Sequence, residues 1–232
     1  MLTGWAVGSK PLIPLAKQLQ QLGYQVTLVD LPYKIESQQW LIELAKQLLR
    51  HSIWLGWSLG GQLLSYLTSE YGQFCKGLVT LAANPCFKAR HDWPCAMASD
   101  IFANFQIAYQ QNSTATLKRF LQLVTYGCSD ARLLLKQLQQ SLEVHPLPEA
   151  NAGLTLLAEI DARSSLKEYP CKQLHLFAEQ DALVPTNCAY ELGQLIGESK
   201  IRLLTNTGHA FPMQNILQTS QLLDDFIKKC YE

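Results

Sequence analysis

The sequence predicts an α/β fold: a mostly parallel sheet with helices on both faces, interrupted by an inserted helical region. Short apolar stretches typical of buried strands alternate with longer stretches whose apolar residues recur at helical spacing, which is the pattern of a parallel sheet. The alternation stops after residue 86 and resumes at residue 167. We therefore expect a core of residues 1–86 and 167–232 and a helical cap of residues 87–166.

The first part of the core supplies three strands and three helices. Apolar residues three or four positions apart indicate the helices, and continuous apolar runs bounded by Gly, Pro or Asn indicate the strands. In chain order we predict a helix over 12–22, a strand over 24–30, a helix over 40–49, a strand over 52–57, a helix over 59–68 and a strand over 77–83.

The cap and the second part of the core follow the same rules. Helical patterns over 101–110, 117–124 and 133–142, with little strand pattern between them, favour a helical cap. The core then resumes with a strand over 173–178, a helix over 188–195, a strand over 200–204 and an amphipathic helix over 216–229.

Composition narrows the possible functions. The formal net charge is +0 and no cluster of Lys and Arg stands out, so nucleic acid is not an expected partner. The 7 cysteines are scattered without a C-x-x-C pair, which argues against a disulfide framework and a zinc site. The chain shows neither an export signal nor an apolar run of membrane-spanning length. We expect a cytoplasmic monomer with no membrane association and no bound metal.

Ser58 lies at the centre of the most informative motif. Gly56-Trp57-Ser58-Leu59-Gly60 follows a predicted strand and precedes a predicted helix, which is the context of the G-x-S-x-G nucleophile elbow. The two glycines leave room for a strained turn that exposes the serine oxygen, and the turn places the N–H of Leu59 at a helix N-terminus, where an oxyanion can bind. We predict that Ser58 is a nucleophile; the alternative is an inert turn.

An elbow serine needs a histidine base, and the base needs a carboxylate to fix its tautomer. Of the 5 histidines, only His209 lies in a loop between a late strand and the last helix, so it is the predicted base. Asp181, just beyond the strand over 173–178, is the predicted acid. Glu179 in the same loop is the competing candidate, and the Val-Pro that follows favours Asp181.

These residues resemble those of the α/β-hydrolases, and within them the family of pimeloyl-acyl-carrier-protein methyl ester esterases of biotin biosynthesis. The resemblance covers nearly the whole chain. The elbow is common to many hydrolases, whereas the tract over 85–94 is much more specific. Segments 119–121 and 146–149 and the loops of Asp181 and His209 also carry the resemblance.

The resemblance implies roles for further residues. The backbone N–H of Trp5 would be the second oxyanion donor beside that of Leu59, and substrate would also meet Ser58 and His209. The acyl pocket would be lined from the cap by Phe120, Leu121, Gln122, Leu123 and Val124.

Two departures from the family pattern concern the N-terminus. The family motif His-Gly-Trp reads Thr3-Gly4-Trp5 here, so we expect different hydrogen bonds to set this loop. Family members carry two strands and most of a third before the loop, and only Met1 and Leu2 stand in that place. The N-terminal strands are therefore expected to be missing or truncated, either because the true start lies upstream or because the sheet closes differently.

The predicted function is a cofactor-free carboxylic ester hydrolase with a Ser-His-Asp triad. The resemblance implies the methyl ester of pimeloyl-acyl-carrier protein as substrate, so an acyl carrier protein is the expected partner. Lys118, Arg119 and Arg132 are cap cations for its acidic surface, unless they form an ordinary solvated face. A thioesterase, a lactonase or a broad short-chain esterase would use the same machinery, and an inactive hydrolase-fold binding protein is the non-enzymatic alternative.

Overall fold

The computed structural model describes residues 1–143, 145–197 and 200–232. It confirms the predicted α/β class, with a parallel sheet flanked by helices. The strands are β1 (Ser52–Trp57), β2 (Cys75–Leu81), β3 (Lys172–Ala178) and β4 (Ile201–Leu204). The α-helices are α1 (Ile13–Gln21), α2 (Ser37–Gln47), α3 (Leu59–Tyr71), α4 (Ser99–Gln111), α5 (Ser113–Thr125), α6 (Ala131–Gln140), α7 (Leu147–Glu159), α8 (Arg163–Glu168), α9 (Asn187–Ile196), α10 (Phe211–Gln214) and α11 (Ile216–Tyr231).

The sheet has the strand order β1-β2-β3-β4, and all three strand pairs are parallel. The carboxyl ends of the strands therefore meet at one edge, where open α/β sheets place their ligands. Ser58 directly follows β1, and Asp181 follows β3 by three residues. The parallel register thus brings the two predicted catalytic loops to the same end of the sheet.

The predicted strand over 24–30 is wrong, because only Val29 forms an isolated bridge. Its parallel neighbour is the N-terminal segment, where Leu2 alone bridges both Val29 and Gly56. The N–H of Leu2 donates to the carbonyl of Leu55 at 2.8 Å, and the N–H of Val29 donates to that of Met1 at 2.9 Å. A strand needs a neighbour along its length, so with so short a ladder residues 24–28 are irregular.

A cleft of about 570 Å³ lies beside this short ladder. Its walls are residues 23–27, residues 47–55 and the C-terminal end of α11. The lining includes Ser52, the first residue of β1, and contains none of Ser58, Asp181 and His209. The cleft is therefore separate from the predicted catalytic loops.

The insertion between β2 and β3 holds the five helices α4 to α8. The sequence predicts the first three, with ends that differ by a few residues, but misses α7 and α8. Proline stands at the first turn of α7, where its fixed φ suits a helix start, although a Pro-Leu-Pro run reads as a loop. Because α8 packs against α3 and α9 of the core, the insertion rejoins the sheet through a core-facing helix. The cap boundaries at residues 87 and 166 stay a prediction.

His175 on β3 is fully enclosed and hydrogen-bonded on both ring nitrogens. Its Nδ1 lies 2.8 Å from the hydroxyl of Thr80, and its Nε2 lies 3.2 Å from Oε1 of Gln173. Burial, with a smaller effect from Lys200, lowers the pKa of His175 from 6.5 to about 3. The ring is therefore neutral in the folded protein at ordinary pH.

His175 should make the protein sensitive to acid. Between its unfolded pKa of 6.5 and its folded pKa of about 3, the unfolded chain binds the extra proton, so the free energy of unfolding falls as the pH drops through this window. Urea unfolding of the wild type and of His175→Gln at several pH values measures this. The variant should lose less stability on acidification; equal slopes would contradict the assignment to His175.

Candidate active site

Ser58 occupies a strained turn between β1 and α3. Its φ of 55° and ψ of −124° lie in a region that side-chain-bearing residues rarely adopt. The turn is possible because glycine stands on both sides of it and the backbone can approach closely. A Cβ on Gly56 would fall 2.5 Å from the carbonyl carbon of Gly60, and one on Gly60 would overlap the carbonyl oxygen of Thr3. Strain of this kind is concentrated at functional sites, and it supports the elbow interpretation.

The first turn of α3 contributes backbone donors beside Ser58. Leu59 is the first helical residue, so its N–H has no acceptor within the helix. Both the free N–H groups and the helix dipole favour a negative charge at this point. The position is therefore suited to an oxyanion.

His209 and Asp181 form a buried pair. Nδ1 of His209 lies 2.8 Å from Oδ2 of Asp181, and each side chain is only 1% exposed. The other carboxylate oxygen of Asp181 accepts hydrogen bonds from the N–H groups of Leu183 at 2.8 Å and Val184 at 3.0 Å. These bonds fix the carboxylate, which in turn orients the imidazole.

The second ring nitrogen of His209 is free to act as a base. Among the described residues, Nε2 has no hydrogen-bond partner although it is buried. The carboxylate bond at Nδ1 leaves Nε2 as the unprotonated nitrogen of the neutral ring. Hydrogen bonds between base and nucleophile are often long before substrate binds, so an unpartnered Nε2 is compatible with a resting site.

The cap holds the loop that carries His209. The N–H of Ala210 donates to the carbonyl of Val124 at 3.1 Å, and the side chain of Gln214 exchanges hydrogen bonds with the hydroxyl and the N–H of Ser129. From the core, Nε1 of Trp57 donates to the carbonyl of His209 at 3.1 Å. The loop of His209 is therefore positioned by both the sheet and the end of α5.

Glu179 has a different role in the structure. Its Oε2 accepts a hydrogen bond from the N–H of Asn206 at 2.9 Å, and the residue is exposed. It thus stabilises the turn after β4, whereas Asp181 contacts His209. This geometry favours Asp181 over Glu179 as the carboxylate that orients His209, as predicted from the sequence.

Trp5 lies in a buried loop against Ser58. A Cβ on the neighbouring Gly4 would lie 3.2 Å from Cβ of Ser58, so the loop and the elbow are in contact. Among the described residues, no hydrogen bond is found for the backbone N–H of Trp5. That donor is therefore available to an oxyanion.

The predicted pocket residues on α5 fall into two groups. Phe120 packs edge-on against the ring of Trp5, with the centroids 5.4 Å apart, and Leu121 and Val124 are buried. Gln122 and Leu123 are exposed on the outer face of the helix. Because all five lie on one helix, only part of the set can face Trp5.

Two aromatic residues of α4 that were not predicted from the sequence contact Trp5. Phe105 and Tyr109 pack on the ring of Trp5, with centroids 5.9 and 5.1 Å away. The indole N–H of Trp5 donates to the carbonyl of Ala150 at 3.1 Å. The spacing of four between Phe105 and Tyr109 on a predicted helix was the signal that could have found them. An aromatic cluster therefore covers the loop beside Ser58.

The predicted cap cations are on the outer surface. Lys118 and Arg119 on α5 and Arg132 on α6 are exposed, and they form no ion pair with any described residue.

No helix in the described ranges is long and apolar enough to cross a membrane. In the same ranges, no three His, Cys, Asp or Glu side chains are grouped so that they could hold a metal ion.

The chain matches one protein-family model and several known proteins over most of its length. Residues 1–216 match the model of the alpha/beta hydrolase fold. A pimeloyl-[acyl-carrier protein] methyl ester esterase of Xylella fastidiosa is 35% identical over 240 residues, which cover 98% of this chain and 93% of the relative. The esterase of the same name from Shewanella woodyi is 35% identical over 197 residues, covering 80% of this chain and 76% of the relative.

Solved structures agree on the fold. A bromoperoxidase from Bacillus anthracis superposes with a TM-score of 0.81 at 18% identity, covering 98% of this chain and 90% of its own. An esterase from Exiguobacterium antarcticum gives a TM-score of 0.79 at 17% identity, covering 98% and 91%. At such identities the likeness establishes the architecture alone.

Proposed function

We propose that this chain, which belongs to the α/β-hydrolase family and is an esterase, cleaves the methyl ester of a pimeloyl group carried by an acyl carrier protein. Ser58, His209 and Asp181 would be its triad. The observation that carries the triad is the buried contact of 2.8 Å between His209 and Asp181, at the sheet edge where Ser58 stands on its strained turn. The substrate rests on the names of the relatives.

Acylation begins with proton transfer from the Ser58 hydroxyl to Nε2 of His209. The serine oxygen forms a bond to the ester carbonyl carbon, and the carbonyl oxygen becomes an oxyanion that the N–H groups of Leu59 and Trp5 bind. Asp181 stabilises the charged imidazolium. The carbon–oxygen bond to methoxide then breaks, and His209 returns the proton so that methanol leaves.

Deacylation repeats these steps with water as the nucleophile. His209 removes a proton from water, the resulting hydroxide attacks the acyl-serine, and the Ser58 oxygen leaves with the proton that His209 carries. The products are a free carboxylic acid and the regenerated enzyme. The chemistry needs no metal or organic cofactor.

Arg119 and Arg132 should contribute to recognition of the carrier protein. Both are exposed on the cap, and an acyl carrier protein presents an acidic surface. Changing both to Glu should raise KM for the methyl pimeloyl carrier protein about tenfold or more at low salt, and less at high salt because salt screens exposed charges. Steady-state kinetics at two ionic strengths measures this.

A small ester and a second double variant provide the controls. Turnover of p-nitrophenyl butyrate should be unaffected, because it carries no acidic surface. Lys17 and Lys76 are exposed on the core, with Lys76 near the amino end of β2, and their change to Glu alters the net charge equally. Loss on both substrates would indicate a damaged fold, and no loss on either would favour a broad short-chain carboxylesterase or thioesterase.

A further inference from the structure

Thr3 is fully buried at the start of the loop that carries Trp5. Its hydroxyl lies 3.1 Å from the carbonyl oxygen of Val7 and 2.9 Å from that of Gly8. Thr3 is at the entrance of the loop and Val7 and Gly8 are at its exit, so this one side chain joins the two ends.

The loop is also hydrogen-bonded to two residues outside it, Tyr33 and Glu143. The N–H of Ala6, whose φ is 64°, donates to the hydroxyl of Tyr33 at 2.8 Å, and the carbonyl of Ala6 accepts from the N–H of Glu143 at 3.0 Å. Burial raises the pKa of Tyr33, so it stays a neutral hydroxyl. The hydrogen bonds at Thr3 and Ala6 therefore restrain the backbone on both sides of Trp5.

We propose that Thr3 is a positioning residue of the oxyanion hole, which acts by closing the loop so that the N–H of Trp5 is aimed at the carbonyl oxygen of the substrate. This inference rests on the proposed function. An oxyanion donor is effective because its direction is fixed before the reaction, so that no reorganisation is needed as charge develops. The hydroxyl has a single proton, which the carbonyls of Val7 and Gly8 share. Without it these buried carbonyls would lose that donor, and the loop would turn to satisfy them.

Thr3→Val tests the proposal because valine keeps the branched shape and lacks the donor. With p-nitrophenyl butyrate, kcat should fall about a hundredfold, as for loss of one oxyanion donor, while KM changes little. Thr3→Ser keeps the hydroxyl and should restore most of kcat. Thr68→Val is the matched control, since the hydroxyl of this buried threonine donates to the carbonyl of Ser65 in α3 at 2.7 Å. It should lower the melting temperature and leave kcat near wild type.

A trifluoromethyl ketone gives a readout that a purely structural role would not change. Ser58 adds to its carbonyl carbon, the proton passes to His209, and the resulting oxyanion occupies the hole. Its inhibition constant should rise in Thr3→Val by the factor lost in kcat/KM, because both report binding of the oxyanion. The inhibition constant of a carboxylic acid product should stay nearly constant.

Several results would overturn the proposal. If Thr3→Val loses stability to the same degree as Thr68→Val but keeps its kcat, Thr3 only supports the fold. Should Thr3→Val fail to fold, Thr3→Ala removes the donor with a smaller side chain, and an undiminished kcat in that folded variant would also overturn it. If Ser58→Ala keeps the wild-type activity, both the proposed function and this inference are overturned. If Ser58→Ala is inactive but the Thr3 variants all keep the wild-type kcat, the inference alone is overturned.

Discussion

Changing Ser58 to Ala is expected to abolish ester hydrolysis, with turnover of p-nitrophenyl butyrate falling about a millionfold. The alanine has no oxygen to form the acyl-enzyme, and His209 and Asp181 cannot compensate, because triad members act as one unit. Initial rates at high enzyme concentration measure the residual activity. The fold should persist, because alanine at a φ of 55° is no more strained than serine.

Ser65 supplies the matched control for this experiment. It is a buried serine of α3 whose hydroxyl donates to the carbonyl of Gly61 at 2.8 Å, within the same helix that starts at the elbow. Ser65→Ala should keep kcat within a few-fold of wild type. If Ser58→Ala retained a substantial fraction of the wild-type rate, another residue would be the nucleophile.

The second large effect is expected at Asp181. Asp181→Asn should reduce kcat about ten-thousandfold, because an amide donor facing Nδ1 of His209 favours the tautomer that protonates Nε2 and disables the base. Glu179→Gln should cost little, since its side-chain oxygen can still accept the hydrogen bond from the N–H of Asn206. Steady-state kinetics of the two variants on one ester measures the difference. The reverse ranking would move the acid to Glu179.

Features that depend on neighbouring positions could be predicted from the sequence. The elbow at Ser58 is one of them, because glycine spacing, strand and helix are all local. That Asp181 and His209 lie together could also be predicted, because their loops follow strands of one parallel sheet. The sequence also implied that the loop at Thr3 would be held by different hydrogen bonds.

Features that depend on distant contacts could not be predicted. The partners of the Thr3 loop include Tyr33 and Glu143, which no spacing connects to it. Residues 24–28 have the composition of a strand and lack the neighbour that a strand requires. Phe105 and Tyr109 become part of the site only because α4 packs over Trp5. Tertiary context decided each of these cases.

Mass spectrometry of a methyl pimeloyl carrier protein, before and after incubation with the enzyme, tests the proposed ester hydrolysis most directly. We predict that the wild type converts it to the free acid, with a mass loss of one methylene group, while the thioester to the carrier stays intact. Ser58→Ala should leave the mass unchanged. An unchanged carrier with the wild type, or release of the whole pimeloyl chain from its thioester, would contradict the account.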